Sequence, residues 1–381
     1  MNILADQNIT YVEETFSSIG EVTTYIGREL SRDHVRNADL LVCRSTKPIN
    51  GDLLEGSPVR FVGTATVGTD HVEQQYLREN DIAFTNAAGS NANSVAEYVS
   101  EALLILEERT GRNLSEMSLG VVGCGNVGSR VVKKARALGM KVVENDPPLA
   151  RETGDSRYRP ITEIFDCDII TLHVPLTRSG PDPTWQMVDR DFIGNMKPGA
   201  ILINSSRGDV VEEYELVEAL RSGELSEAVL DVWHGEPKIN LDLLDLVLFG
   251  TPHVAGHSLD GKVAGTAMIY RAACKHLGLE PQVDPRSFLP DPQVPEIVLK
   301  DRGRPREIVR RVALSIHNPL DDDAALRGAF KMPKAERGEL FDSLRRNYGP
   351  RREFHNTELV FKSCPEGGRE MLLGLGFAEK G

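Results

Sequence analysis

The sequence has 381 residues, 40% hydrophobic and 27% charged, with a formal net charge of −13. That length suits two or three domains with sizeable cores, and the acidic balance argues against nucleic acid as a partner. No apolar run approaches the ~20 residues that span a bilayer, and the opening MNILADQNI lacks the basic start and long apolar stretch of a secretory signal, so a cytoplasmic protein without a membrane partner is expected.

The charge is unevenly spread: residues 281–381 carry a net +2 and the rest −15. Anionic ligands must therefore be held by local donors. The five cysteines (Cys43, Cys124, Cys167, Cys274 and Cys364) form no C-x-x-C pair, and reduced thiols are expected. No His/Cys/Asp cluster has metal-ligand spacing, so no metal is expected.

In chain order, Asn2–Ala5, Leu40–Cys43, Phe61–Gly63 and Ile82–Thr85 are short apolar runs between polar helical stretches. This is an α/β pattern with a parallel sheet. Ser94–Arg109 has helical apolar spacing and leads into a second domain. That domain opens with a buried-strand run at Leu119–Val122, a Gly-rich turn and a helix over Val127–Leu138. Strands are predicted at Lys141–Glu144, Asp168–Leu172, Ala200–Asn204, Ala228–Leu230 and near Val247–Phe249, with a helix at Tyr214–Ser222. The succession is that of a doubly wound sheet. Leu259–Leu277 is a helix that returns to the first domain. A proline-rich linker, Pro281–Pro295, precedes a last unit of mixed helix and strand signals.

The chain is thus predicted to be α/β: a doubly wound parallel-sheet domain over 96–256, a flavodoxin-like α/β domain over 1–95 plus 257–280, and a small α+β domain over 286–381.

Gly123-Cys-Gly125-Asn126-Val127-Gly128 fits G-x-G-x-x-G. Its context makes it specific: a strand before, a helix after, and Asp146 at the end of the next strand, 18 residues past Gly128. Gly123 permits the turn, Gly125 lets the backbone approach a pyrophosphate, and Gly128 allows close helix–strand packing. The helix N-terminus favours phosphate. Asp146 can accept from both ribose hydroxyls and would repel a 2′-phosphate, which favours NAD over NADP. Glu144, the rival acid, sits mid-strand and faces solvent or a helix.

Three further segments stand out: Ser205-Ser-Arg207-Gly208, Leu230-Asp231-Val-Trp-His-Gly-Glu236-Pro237 and Thr251-Pro-His253-Val-Ala-Gly256-His257. The first two follow predicted strands, where doubly wound sheets place ligands; the third follows the Val247–Phe249 run. Oxidising a 2-hydroxy acid needs a base near neutral pKa, which histidine supplies. It also needs a carboxylate to hold the imidazole and a guanidinium to grip the substrate carboxylate. His173, His234 and His276 are expected to be structural. The Pro/Gly-rich loop Arg178–Trp185 is expected to be a surface insertion.

These segments resemble the D-2-hydroxyacid dehydrogenase family over about residues 1–280. The resemblance implies that Arg207 binds the carboxylate and carbonyl, that His253 is the acid/base and that Glu236 supports its protonated form. It also implies that Asp231 contacts the nicotinamide amide with Gly256 nearby. Asn126, Val127 and Val174 join the Gly-rich loop as cofactor contacts.

A closer likeness, to the branch of that family acting on 4-phosphoerythronate, extends over nearly the whole chain. It rests on R-S-T-K-P-I-N at 44–50, G-T-A-T-V-G-T-D-H-V at 63–72, D-P-P at 146–148, the 230–237 segment, and R-R-N-Y-G-P-R-R-E-F at 345–354. It implies that Ser45 and Thr66 touch substrate, with Arg44, Val67 and Gly68 on the same rim. His257 stands where that branch usually has tyrosine. It further implies NAD as cofactor, a small phosphorylated 2-hydroxy acid as substrate, a step of pyridoxal 5′-phosphate biosynthesis, and a homodimer through the C-terminal domain. Two other readings remain open: a sibling enzyme of 3-phosphoglycerate or a non-phosphorylated acid, and an NAD-sensing regulatory scaffold.

Overall fold

The structure is a computed structural model that describes residues 1–300 and 302–380. It divides into two compact units, Met1–Asn91 with Ser258–Asp291, and Ala92–His257 with Pro292–Gly381.

In the first unit, strands β1 (Asn2–Asp6), β2 (Glu21–Tyr25), β3 (Leu40–Cys43), β4 (Phe61–Thr64) and β5 (Ala83–Asn86) form a parallel sheet in the order β2-β1-β3-β4-β5. This is the flavodoxin-like order predicted. The β3 and β4 strands are wholly buried, which explains their uninterrupted apolar runs. The helix Leu259–Leu277 lays Ile269, Tyr270 and Ala273 into a core with Phe16, Val42 and Phe61. Gly63 is required there, since a Cβ would stand 2.3 Å from Ile269 Cγ2. Ser258 caps the helix by accepting from the Gly261 N–H at 2.8 Å. The edge strand β2 was not anticipated: its E-V-T-T-Y has only Val22 and Tyr25 as apolar residues and is half solvated.

In the second unit, β6 (Ser118–Val122), β7 (Lys141–Asn145), β8 (Ile169–Leu172), β9 (Ala200–Asn204), β10 (Leu225–Leu230) and β11 (Phe249–Gly250) run parallel in the order β11-β10-β9-β8-β6-β7. A single parallel bridge, Glu144 to Tyr158, stands on the outer edge of β7. Counting it as a residual strand gives the dinucleotide-fold order 3-2-1-4-5-6, extended by one. The chain order reverses between β6 and β8. Asn145, Val122, Leu172, Asn204, Leu230 and Gly250 lie side by side in register across the C-terminal edge. Every site residue predicted in this domain follows one of these six.

Of the segment predicted as a separate domain over 286–381, the part from Pro292 onward belongs to this same compact unit, which begins at Ala92 rather than 96, while 286–291 belong to the first unit. The segment's sheet, β12 (Glu296–Lys300), β13 (Glu358–Ser363) and β14 (Ala378–Glu379), is parallel in the order β12-β13-β14. Helices Pro305–Ile316 and Glu366–Leu375 share a core with helices Ala92–Thr110 and Gly128–Ala137. Helices Pro319–Phe330 and Lys334–Arg346 send Leu326, Phe330 and Phe341 into a second core with Trp233 and Leu243. Buried polar contacts fix the docking. Ser94 Oγ donates to Glu353 at 2.6 Å, the Phe354 N–H to Glu97 at 3.0 Å, and His317 Nδ1 pairs with Glu101 at 2.6 Å.

No helix among the described residues is long and apolar enough to cross a membrane. None of the five cysteines is in a disulfide among the described residues, and burial pushes the thiols of Cys43 and Cys124 up to about 12.

Candidate active site

The Gly-rich loop starts one residue past Val122. Gly123 has φ +86°, and a Cβ there would stand 2.7 Å from the His173 carbonyl oxygen and 2.9 Å from Val174 Cγ1. Gly128 is tighter, with a Cβ only 1.9 Å from the Gly123 carbonyl oxygen. Gly125 differs from both: nothing lies within 4 Å of its would-be Cβ. One glycine turns, one packs and one faces open space, which is the cradle a pyrophosphate requires. Asn126 and Val127 lead from Gly125 into the helix Gly128–Ala137. These residues fit NAD.

Asp146 stands at the end of β7 as predicted, and it has a second task there. One carboxylate oxygen accepts from the Cys124 N–H at 2.8 Å and the other from the Leu149 N–H at 3.0 Å. It thus holds the Gly-rich loop to the next helix while staying half-exposed. Glu144 faces a helix, pairing with Arg136 at 2.7 Å.

The three catalytic candidates leave adjacent strands. Arg207 comes three residues after Asn204, which shapes its turn: Asn204 Nδ2 donates to the Arg207 carbonyl at 2.9 Å, and Oδ1 accepts from the Ser206 N–H at 3.0 Å. Gly208 presses this turn onto the next loop; a Cβ would stand 2.1 Å from the Trp233 carbonyl. Glu236, joined to Pro237 by a cis bond, lies further along that loop. Its Oε1 is 2.5 Å from His253 Nδ1.

Burial pushes the Glu236 carboxyl up. The His253 charge and hydrogen bond, with Arg345 and the Trp233 main chain, more than offset this and hold it below the usual carboxylate range. With Nδ1 engaged by Glu236, Nε2 is the His253 atom left to exchange a proton.

His253 has φ +58°, a left-handed conformation that costs a non-glycine residue about 1 kcal/mol or more. Asp231 keeps it there. Its carboxylate is 1% exposed and accepts from the Val254 N–H at 2.7 Å, the Ala255 N–H at 3.1 Å and Thr251 Oγ1 at 2.7 Å. Its carbonyl accepts from the His253 N–H at 2.7 Å. Trp233 Nε1 donates to the Thr251 carbonyl at 2.9 Å. The sequence assigned Asp231 to cofactor alone, yet its geometry makes it the brace of the histidine loop.

The other histidines separate cleanly. Burial pushes His173 down to about 3, too weak a base for this work. His234 is exposed and pairs with Asp209 at 2.6 Å. His276 lies in the last turn of its helix, against Phe61. The Arg178–Trp185 loop is largely exposed, as expected of a surface insertion. Arg178 lies over Trp185 and 3.7 Å from Asp209, two residues past Arg207. His257 meets the Tyr348 ring edge-on at 5.8 Å.

In the first unit, Ser45 is exposed just past β3. Thr66 Oγ1 contacts Thr64 Oγ1 at 2.8 Å and the Gly68 carbonyl at 3.2 Å, while Asn86 holds the Val67 carbonyl at 2.7 Å. Arg44 pairs with the buried Asp6 at 3.0 Å. Sequence reading missed Lys262, one turn into the helix Leu259–Leu277. Burial first, then the nearby Arg44 charge, lowers its pKa. Its only sequence signal is a charge three residues before Gly265, where the helix approaches the Ala65 carbonyl. Among the described residues, no group of His, Cys, Asp and Glu is placed to hold a metal.

Residues 83–255 match the family described as D-isomer specific 2-hydroxyacid dehydrogenase, NAD binding domain, and residues 288–376 match a domain of unknown function. The chain is 44% identical to the erythronate-4-phosphate dehydrogenase of Salinibacter ruber, covering 96% of this chain and 95% of the relative. It is 42% identical to that of Pseudomonas fluorescens, over 94% of each, and 40% identical to that of Marinobacter nauticus, over the full length of both. The chain belongs to the erythronate-4-phosphate dehydrogenase family. Its fold is shared with more distant solved structures. A D-lactate dehydrogenase from Aquifex aeolicus with NAD and lactic acid is 23% identical at a TM-score of 0.58, covering 73% of this chain and 96% of its own. A 3-phosphoglycerate dehydrogenase from Entamoeba histolytica with bound NAD⁺ is 24% identical at 0.62, covering 73% and 95%. The family match supports NAD as the cofactor, and the glycine cradle past β6 fits it.

Proposed function

We propose that this chain oxidises 4-phospho-D-erythronate at C2 with NAD⁺, giving (R)-3-hydroxy-2-oxo-4-phosphooxybutanoate, a step of pyridoxal 5′-phosphate biosynthesis. The observation that carries this is the 2.5 Å Glu236–His253 pair on the sheet edge that also bears the Gly-rich loop.

When bound, NAD⁺ supplies the acceptor for the hydride from C2. His253 Nε2 takes the C2 hydroxyl proton as the C2–O bond becomes a carbonyl. Glu236 stays ionised and stabilises the imidazolium through Nδ1–H. Arg207 grips the substrate carboxylate and polarises the C2 oxygen. The cofactor is held by Gly123, Gly125, Asn126, Val127, Gly128, Asp146 and Val174, with Asp231 and Gly256 toward its nicotinamide end.

Ser45, Thr66, Val67, Gly68 and His257 complete the substrate contacts. Arg44 and Lys262 bring two cations together in a chain of net charge −13, which suits the substrate phosphate. Lys262→Met should raise KM for phosphoerythronate ~10–100-fold, the scale of one charge-assisted hydrogen bond. The NADH dissociation constant should not change. An unaltered KM would remove Lys262 from the site.

Comparing NADH formation on phosphoerythronate, 3-phosphoglycerate and D-lactate tests the substrate. Faster turnover of either rival would overturn it. The C-terminal segment is the proposed homodimer interface, supported by the edge strand β12 with its 43% exposed Val298. Val298→Glu should yield monomers by sedimentation; an intact dimer would place the interface elsewhere.

A further inference from the structure

The acid/base pair rests on residues from far down the chain. The helix Lys334–Arg346 approaches the Glu236 loop directly: a Cβ at Gly338 would stand 3.5 Å from Pro237 Cγ. Phe341, three residues on, is fully buried in the core that contains Trp233. Arg345 is seven residues past Gly338, two helical turns away on the same face. That face brings the Arg345 charge near enough to favour the ionised Glu236 carboxylate, with no hydrogen bond or ion pair between the two among the described residues. Among the described residues, two buried atoms there meet no hydrogen-bond partner, Arg345 Nε and Glu236 Oε2.

A second arginine from the same stretch reaches the histidine loop. Arg351 is 7% exposed; it donates from Nη1 to the Ala255 carbonyl at 3.1 Å and from Nη2 to the Ser94 carbonyl at 3.0 Å. Asp231 takes the N–H of Val254 and Ala255, and Arg351 takes the Ala255 carbonyl. The backbone two residues past His253 is thus gripped from both sides.

We infer that Arg345 and Arg351 are positioning residues for the reaction: Arg345, on the helix packed against Pro237, favours the ionised Glu236 carboxylate beside His253 through its charge, and Arg351 fixes the loop that carries His253. The C-terminal segment therefore takes part in catalysis as well as assembly. This rests on the dehydrogenase reading above. The groups facing Glu236 are His253, Arg345 and the Trp233 main chain. Losing the Arg345 cation raises the Glu236 pKa, and activity that needs ionised Glu236 then falls away at a higher pH.

The test is the pH profile of kcat/KM for phosphoerythronate in the full-length enzyme, with wild-type turnover measured first. An inactive wild type would fail the functional reading and this inference with it; an active one leaves the inference to be judged by the variants. Arg345→Gln should move the acid limb up by about one pH unit and lower kcat about tenfold, with KM for NAD⁺ unchanged. Arg345→Lys should return the limb to its wild-type position. A limb that stays put in Arg345→Gln, even with reduced kcat, overturns the assignment. So does a limb displaced in Arg345→Lys, which decides the matter alone if Arg345→Gln does not fold.

Discussion

His253→Ala should lower kcat for phosphoerythronate oxidation by about 10²–10⁴, the range a positioned acid/base contributes, while NADH still binds with native affinity. The separation is expected because the loop's shape does not depend on the imidazole. The Asp231 carboxylate holds the Val254 and Ala255 N–H groups, and its carbonyl holds the His253 N–H. Alanine keeps every one of these bonds. Glu236→Gln should fall short of that loss, by about 10², because an amide still accepts from Nδ1–H but no longer offsets the imidazolium charge. Steady-state kinetics beside an NADH fluorescence titration measures both quantities. Near-normal kcat in His253→Ala would mean the proton leaves by another group. His173 and His234 are poor substitutes, one held near pKa 3 by burial and the other engaged with Asp209.

The three catalytic candidates were legible because each is carried by a short motif next to a buried strand. An all-apolar run such as Ala200–Ile203 marks a central parallel strand, and the residues just past its end stand on the ligand edge. Residues whose role depends on distant packing gave no such sign. Lys262 looks like an ordinary helix charge until Gly265 is seen against Ala65, and the 345–354 run stands out in the sequence but gives Arg345 and Arg351 no role until Gly338 is seen against Pro237. Asp146 and Asp231 were legible as site acids but not as braces, because the N–H groups they accept belong to turns whose geometry no spacing encodes. The edge strands β2 and β12 and the two-residue β14 escaped for a related reason. Edge strands and two-residue strands carry too little apolar pattern to separate from loop.

The glycines of the site permit a test that tells cofactor binding from chemistry. Gly128→Ala places a Cβ 1.9 Å from the Gly123 carbonyl oxygen. Both partners are backbone, so the Gly-rich turn must open and the amides aimed at the pyrophosphate lose their alignment. NADH affinity should fall by roughly 100-fold or more, as expected when the close-packing glycine of this loop is lost. Gly208→Ala is a comparable intrusion, 2.1 Å from the Trp233 carbonyl, but at the other end of the site. It separates the Arg207 turn from the loop leading to Glu236. A displacement of about 1 Å there should cost on the order of 10² in kcat/KM, with NADH binding near native. Each variant should thus spare what the other destroys. If Gly208→Ala lost NADH binding as fully as Gly128→Ala, the Arg207 turn would belong to the cofactor's support, and the substrate carboxylate would need another guanidinium.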